Sequence, residues 1–117
     1  MNTPPKEHIN VDHHKLHAFV STAAQTVGLT AEKAELLAEL LTKNDLRGVF
    51  SHGTEQIATY AILMRDGQLN KDPQIEVVRE TPVSALVDGD GGLGYFPAYQ
   101  GLYWRWTRPR QQVSLRL

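Results

Sequence analysis

Apolar residues recur at helical spacing through the first half of the chain. Leu16, Phe19, Val20, Ala23, Ala24 and Val27 fall on one side of a helix wound at about 3.6 residues per turn. Asp12 stands where an N-cap belongs and Gly28 where a helix stops, so the pattern predicts a helix over 13–27. A second is predicted over 31–46, capped by Thr30. Its apolar stripe of Ala34, Leu37, Leu40 and Leu41 opposes Glu32, Glu35, Glu39 and Lys43, and Gly48 ends it. A third is predicted over 52–66, with Ile57, Tyr60, Ala61 and Met64 on one face and Gly67 as its terminal glycine. The period then shortens. Ile75, Val77 and Val78 predict a strand over 74–79, and 83–87 predicts another across the turn Glu80-Thr81-Pro82. A two-stranded hairpin alone is marginal in water, so these strands call for a larger sheet. The expected fold class is α/β: three helices, a β-hairpin and a glycine-rich loop, with a further helix starting near Pro97.

Composition narrows the partners. A chain of 117 residues can form one modest domain. A formal charge of -1 and an ordinary apolar fraction of 41% favour neither nucleic acid nor a membrane. No apolar run approaches the roughly 18 residues of a spanning helix, and the N-terminus lacks a basic-then-apolar leader, so the expected address is cytoplasmic. The absence of cysteine removes disulfide and thiolate chemistry.

Ser51-His52-Gly53, between the second and third predicted helices, is the clearest candidate for chemistry. Imidazole changes charge near neutral pH, and at a helix start its ring is within reach of a small substrate, a suitable place for a proton donor. The same tripeptide also suits plain capping, with Ser51 accepting a backbone N–H and Gly53 easing the turn. Other motifs lack their required context. His13 and His17 share a helix face without the glutamate and third ligand of a metal site. Gly89-x-Gly91-x-x-Gly94 matches the dinucleotide fingerprint, but Tyr95-Phe96-Pro97 defers the helix and Asp90 is the last acidic residue, leaving none to hold a ribose. Asp88 and Asp90 imitate the start of a calcium loop whose twelfth position is Tyr99.

Residues 45–53, Tyr60, Gly67-Gln68-Leu69-Asn70, Arg79-Glu80-Thr81-Pro82 and the segment 86–94, in this order and spacing, give the chain a wider likeness. From about Val11 to Gly101 it resembles the malate/L-lactate dehydrogenase-like family of NAD(P)-dependent oxidoreductases. That family is distinct from the Rossmann-type enzymes and includes ureidoglycolate, sulfolactate and diketogulonate reductase types. The resemblance implies part of a larger mixed-sheet fold, a small 2-hydroxy acid or 2-oxo acid substrate, NAD or NADP as cofactor, no catalytic metal, and a homodimer for the full-length enzyme. It implies His52 as the proton donor, with Ser51 orienting it or the substrate oxygen. Many members carry arginine four residues after the histidine to bind the substrate carboxylate; this chain has Gln56, which offers no charged fork. Arg47 could compensate, or could pair with Asp45 or Glu55. Members are much longer, so the resemblance implies an N-terminal fragment without most of the cofactor-binding body.

The last residues depart from the family. Tyr103-Trp104-Arg105-Trp106-Thr107-Arg108-Pro109-Arg110 interleaves arginine with aromatics, a pattern that can stack on single-stranded bases, where the family has an amphipathic helix. Moving the reading frame back by one base turns Tyr103 into Trp104 to Leu, Trp104 into Arg105 to Ala for a CGN codon, and Trp106 into Thr107 to Asp. The expected organisation is therefore a flexible N-terminus over 1–10, the oxidoreductase segment over 11–101 and a frameshifted tail over 102–117. Alternatives are a small helical binding protein and an inactive truncated product. A one-base correction near codon 101 is expected to open a long frame that continues the oxidoreductase. Sequencing the gene checks this, and a stop within a few codons of that frame refutes it.

Overall fold

Asp12 and Thr30 begin the first two helices as the sequence predicts. The computed structural model describes residues 6–107 and 114–116. Helix α1 (His13–Thr26) has Asp12 as its N-cap, accepting the His14 N–H at 3.3 Å. Helix α2 (Ala31–Leu46) has Thr30 there, accepting the Lys33 N–H at 3.3 Å. Gly28 turns the chain between them at φ +114°, a region that L side chains rarely enter.

The α1–α2 pair buries Val20, Ala24, Ala34, Leu37, Ala38 and Leu41 completely. Phe19, expected on the buried stripe, is instead 64% exposed, so the face that α1 buries is narrower than its apolar pattern. A polar clasp also links the helices. The Glu35 carboxylate, on α2, accepts from His17 Nε2 and Ser21 Oγ of α1, each at 2.7 Å, and Ser21 Oγ in turn accepts from Gln25 Nε2 at 3.1 Å. These bonds, His17's foremost and Ser21's next, hold the Glu35 carboxyl below the usual carboxylate range.

The predicted helix over 52–66 is two pieces. A single 3₁₀ turn, Phe50–His52, comes first, and α3 (Gln56–Arg65) starts only after Gly53 leaves helical geometry at φ −100°, ψ −153°. α3 packs on α1 and buries Ile57 and Met64, while Tyr60 and Ala61 are half-buried; Gly67 follows at φ +77°.

The chain divides into two compact units, residues 1–71 and 72–117. In the second, β1 (Glu76–Thr81) and β2 (Ser84–Asp88) form an antiparallel hairpin from Glu76↔Asp88 to Thr81↔Ser84, with an irregularity between Val77 and Arg79. Both strands begin and end slightly later than predicted. The Thr81 and Ser84 hydroxyls bond at 2.7 Å across the turn, and the Val83 N–H reaches Thr81 Oγ1 at 3.3 Å, extending the ladder to the turn itself. β2 buries Ala85 and Val87, whereas every residue of β1 is exposed, including Val77 and Val78. Helix α4 (Tyr95–Thr107) follows, two residues ahead of its predicted start, and β3 (Ser114–Arg116) lies parallel to β2, giving the order β1-β2-β3. The hairpin thus gains a third strand from the stretch expected to be a frameshifted tail. Residues 108–113 and 117 of that tail, and 1–5 of the expected flexible N-terminus, lie outside the described residues. The architecture is α/β as predicted. No helix among the described residues is long and apolar enough to cross a membrane.

Two outcomes are expected. A carboxyl held below its unfolded value stabilises the fold above the unfolded pKa, about 4.3 for glutamate, and that contribution is lost as pH falls through the folded value. Urea midpoints measured from neutral to acidic pH should therefore fall less in Glu35→Gln than in wild type, and the difference should shrink in high salt because the carboxylate is exposed. Thr42 is 4% exposed and its hydroxyl has no hydrogen-bond partner among the described residues, so Thr42→Val should raise stability by about 1 kcal/mol in the same assay.

Candidate functional site

The last turn of α2 supplies the base of the site. Gly48, at φ +78°, reverses the chain, with its N–H on Asp45 O at 3.0 Å and the Val49 N–H on Asn44 O at 2.8 Å. The 3₁₀ turn closes through His52 N–H to Val49 O at 3.2 Å and Gly53 N–H to Phe50 O at 3.1 Å. Side chains then fasten this turn to α2. Asn44 Nδ2 donates to the His52 carbonyl at 2.9 Å. The Asp45 carboxylate accepts the Thr54 N–H at 3.2 Å and, on its other oxygen, the Thr54 hydroxyl.

Gly53 is required here for closeness. Its φ is open to any residue, but a Cβ would stand 2.8 Å from Asp45 Cγ and closer still to the carboxylate oxygen. The expectation that this glycine eases the turn through its backbone freedom is corrected: it clears space for Asp45.

Ser51 and His52 come together. Ser51 Oγ and His52 Nδ1 are 2.9 Å apart, the ring is exposed and the serine half-buried. The capping role considered for Ser51 is also corrected, because Ser51 lies inside the 3₁₀ turn, whose N-cap is Val49, and the N-cap of α3 is Glu55. Gln56 sits at the first turn of α3 and donates from Nε2 to the Ser51 carbonyl at 2.8 Å, so its amide braces the loop. The exposed Arg47 lies just past α2, with Nη1 3.5 Å from Asn44 Oδ1, while both Asp45 oxygens are engaged by Thr54.

Asn44 and Thr54 carry no role in the sequence-based expectations, and Asp45 appears there as the first residue of the 45–53 run and as a possible partner of Arg47. A signal was available. Asn and Asp are poor helix formers, and two together in the last turn of a helix favour side-chain bonds to nearby backbone.

Elsewhere the expected motifs resolve into local contacts. His17 Nε2 engages Glu35, whereas His13 Nδ1 faces Asp12 at 3.8 Å and its ring lies 4.0 Å from that of His14. The glycine-rich loop opens directly into α4, and β2, α4 and β3 form a strand-helix-strand unit, so the expectation that Tyr95-Phe96-Pro97 defers the helix is corrected. It still does not fit a dinucleotide pyrophosphate. The Asp90 N–H that could meet a phosphate is taken by Asp88 Oδ1 at 2.9 Å, and the Gly92 N–H by Gly89 O at 3.1 Å. Asp90 Oδ2 accepts the Gln74 N–H at 2.9 Å, so the loop presents two carboxylates where an anion would need donors. A Cβ on Gly89 would lie 3.1 Å from the Pro97 ring, so this glycine serves packing inside the unit.

Known proteins resemble this chain in sequence and in fold. The sequence profile described as malate/L-lactate dehydrogenase matches residues 11–111. A malate dehydrogenase of Pyrococcus horikoshii is 36% identical over 97 residues, covering 83% of this chain and 27% of that protein. An L-sulfolactate dehydrogenase of Methanocaldococcus jannaschii is 37% identical over 67 residues, 57% of this chain and 20% of that one. The solved structure of the Pyrococcus horikoshii malate dehydrogenase superposes with a TM-score of 0.80 at 35% identity, over 85% of this chain and 28% of that chain. The chain therefore spans about a quarter of the length of these relatives, and it belongs to the malate/L-lactate dehydrogenase family.

Proposed function

We propose that this chain is the N-terminal portion of an NAD(P)-dependent oxidoreductase that interconverts a small 2-hydroxy acid and its 2-oxo acid, with His52 exchanging the proton. The observation that carries the reading is the 2.9 Å contact between Ser51 Oγ and His52 Nδ1 beneath an exposed ring, within a chain of this family. NAD or NADP is the hydride carrier that such a reaction needs, bound by parts of the complete enzyme other than the glycine-rich loop.

The proton side can be followed on this chain's own atoms. Reduction of a 2-oxo acid places a proton on the carbonyl oxygen, and oxidation of the alcohol removes it. The Ser51 hydroxyl occupies Nδ1 whichever of the two donates, so Nε2 is the ring nitrogen assigned to give and regain the proton. Ser51 thereby fixes which nitrogen works. Gln56, bonded to the Ser51 carbonyl, holds the serine in place, and at the start of α3, four residues after His52, it is assigned an uncharged contact to substrate. Arg47, exposed just past the end of α2, is the cation we assign to the substrate carboxylate. Relatives named for malate, L-sulfolactate and ureidoglycolate act on small 2-hydroxy acids, which supports the substrate class.

The test is made on the complete enzyme. His52→Ala should lower turnover by about 10² to 10⁴ with nucleotide affinity nearly intact, and His52→Asn should restore little. Ser51→Ala should be milder and should keep the pH dependence that the histidine variants lose. Wild-type turnover in His52→Ala overturns the assignment.

A further inference from the structure

The bond that His52 makes to Ser51 joins two sequence neighbours, so it cannot fix either of them relative to the rest of the fold. That task falls to side chains outside the loop. Asn44 Nδ2 holds the His52 carbonyl at 2.9 Å, and Asp45 holds Thr54, two residues further on, through both its backbone N–H and its hydroxyl. Between these points lies Gly53, bare of a side chain because the Asp45 carboxylate occupies the space. Asn44 and Asp45 are consecutive residues of α2, which is anchored by the fully buried Leu37 and Leu41.

We propose that Asn44 and Asp45 are positioning residues for His52, clamping the peptide at and just beyond the histidine so that the exposed imidazole is held in one orientation on the end of α2. The inference rests on His52 as the proton-exchanging group, and it adds what aims that group. A solvent-facing ring lacks walls to define its direction, so its backbone must do so. Misplacing a reacting group by about 1 Å can cost 10²-fold in rate, which gives such a clamp catalytic weight. Geometry, rather than the negative charge of Asp45, is the operative property. An asparagine at position 45 keeps an acceptor for the Thr54 N–H and offers its amide to the Thr54 hydroxyl.

The experiment reads the ring directly, by nitrogen-15 NMR of the 117-residue chain labelled at histidine. Wild type should show His52 ring signals set apart from those of a free histidine. Asn44→Ala and Asp45→Ala should each shift them toward the averaged free-histidine positions, while amide signals of Val20, Leu37 and Leu41 stay in place. Asp45→Asn should restore the wild-type signature. Gly53→Ala should disturb His52 strongly, and less so in combination with Asp45→Ala, because the second change removes the atoms that the new Cβ meets. In the complete enzyme Asn44→Ala should lower kcat by about 10-fold to 100-fold with nucleotide affinity unchanged. A free-histidine signature in wild type, unchanged His52 signals in both alanine variants, or failure of Asp45→Asn to restore them overturns the proposal. Those results leave the turnover of His52→Ala as a separate measurement, so loss of the clamp and loss of the proton-donor role are told apart.

Discussion

Burial of Leu37 and Leu41 against α1 is the constraint on which residues 6–71 depend. Those side chains, with Val20 and the alanines around them, lose all contact with water, and Leu41 sits within two turns of the end of α2. A helix end seated on such a core is a rigid mount. From it Asn44 and Asp45 reach the next loop, so the order of the Ser51-His52-Gly53 segment derives from the apolar packing that seats α2. Fully burying a leucine contributes roughly 1.5–3 kcal/mol, whereas each polar bond contributes about 1 kcal/mol, so the core carries the loop and not the reverse.

How much of this was legible in the sequence depends on whether the deciding contact was local. α2 was predicted residue for residue, because Thr30 acts on an N–H three positions away and the apolar stripe repeats within the element. α1 was readable for the same reason. The break at Gly53 was not, because its cause is a carboxylate eight positions earlier that excludes a side chain, and helical periodicity carries no trace of such a contact. Ser51 read as a cap for a similar reason: the sequence places a serine before a helix, but the chain inserts a 3₁₀ turn and gives the hydroxyl to its neighbour's ring.

The glycine-rich loop shows the opposite case, a motif with much of the right surroundings and the wrong chemistry. A helix follows the glycines and a parallel strand follows the helix, yet the N–H of Asp90 is turned onto Asp88 and the space beside Gly89 is closed by Pro97. Phosphate binding depends on unsatisfied donors, and spacing alone does not report whether donors are satisfied. The family resemblance, resting on several short motifs in register, was the better guide, and the profile and structural matches agree with it.

The fully exposed strand β1 has a consequence for the behaviour of the polypeptide in concentrated solution. It lies at the edge of the sheet and displays Val77 and Val78 to water, a surface that in other settings templates cross-chain β pairing. Glu76, Arg79 and Glu80 are interspersed with those valines, and the irregular register between Val77 and Arg79 bends the strand away from a flat template. Charge and curvature thus act as gatekeepers against fibril growth along this edge, leaving the hairpin able to carry apolar residues outward without committing the chain to aggregation.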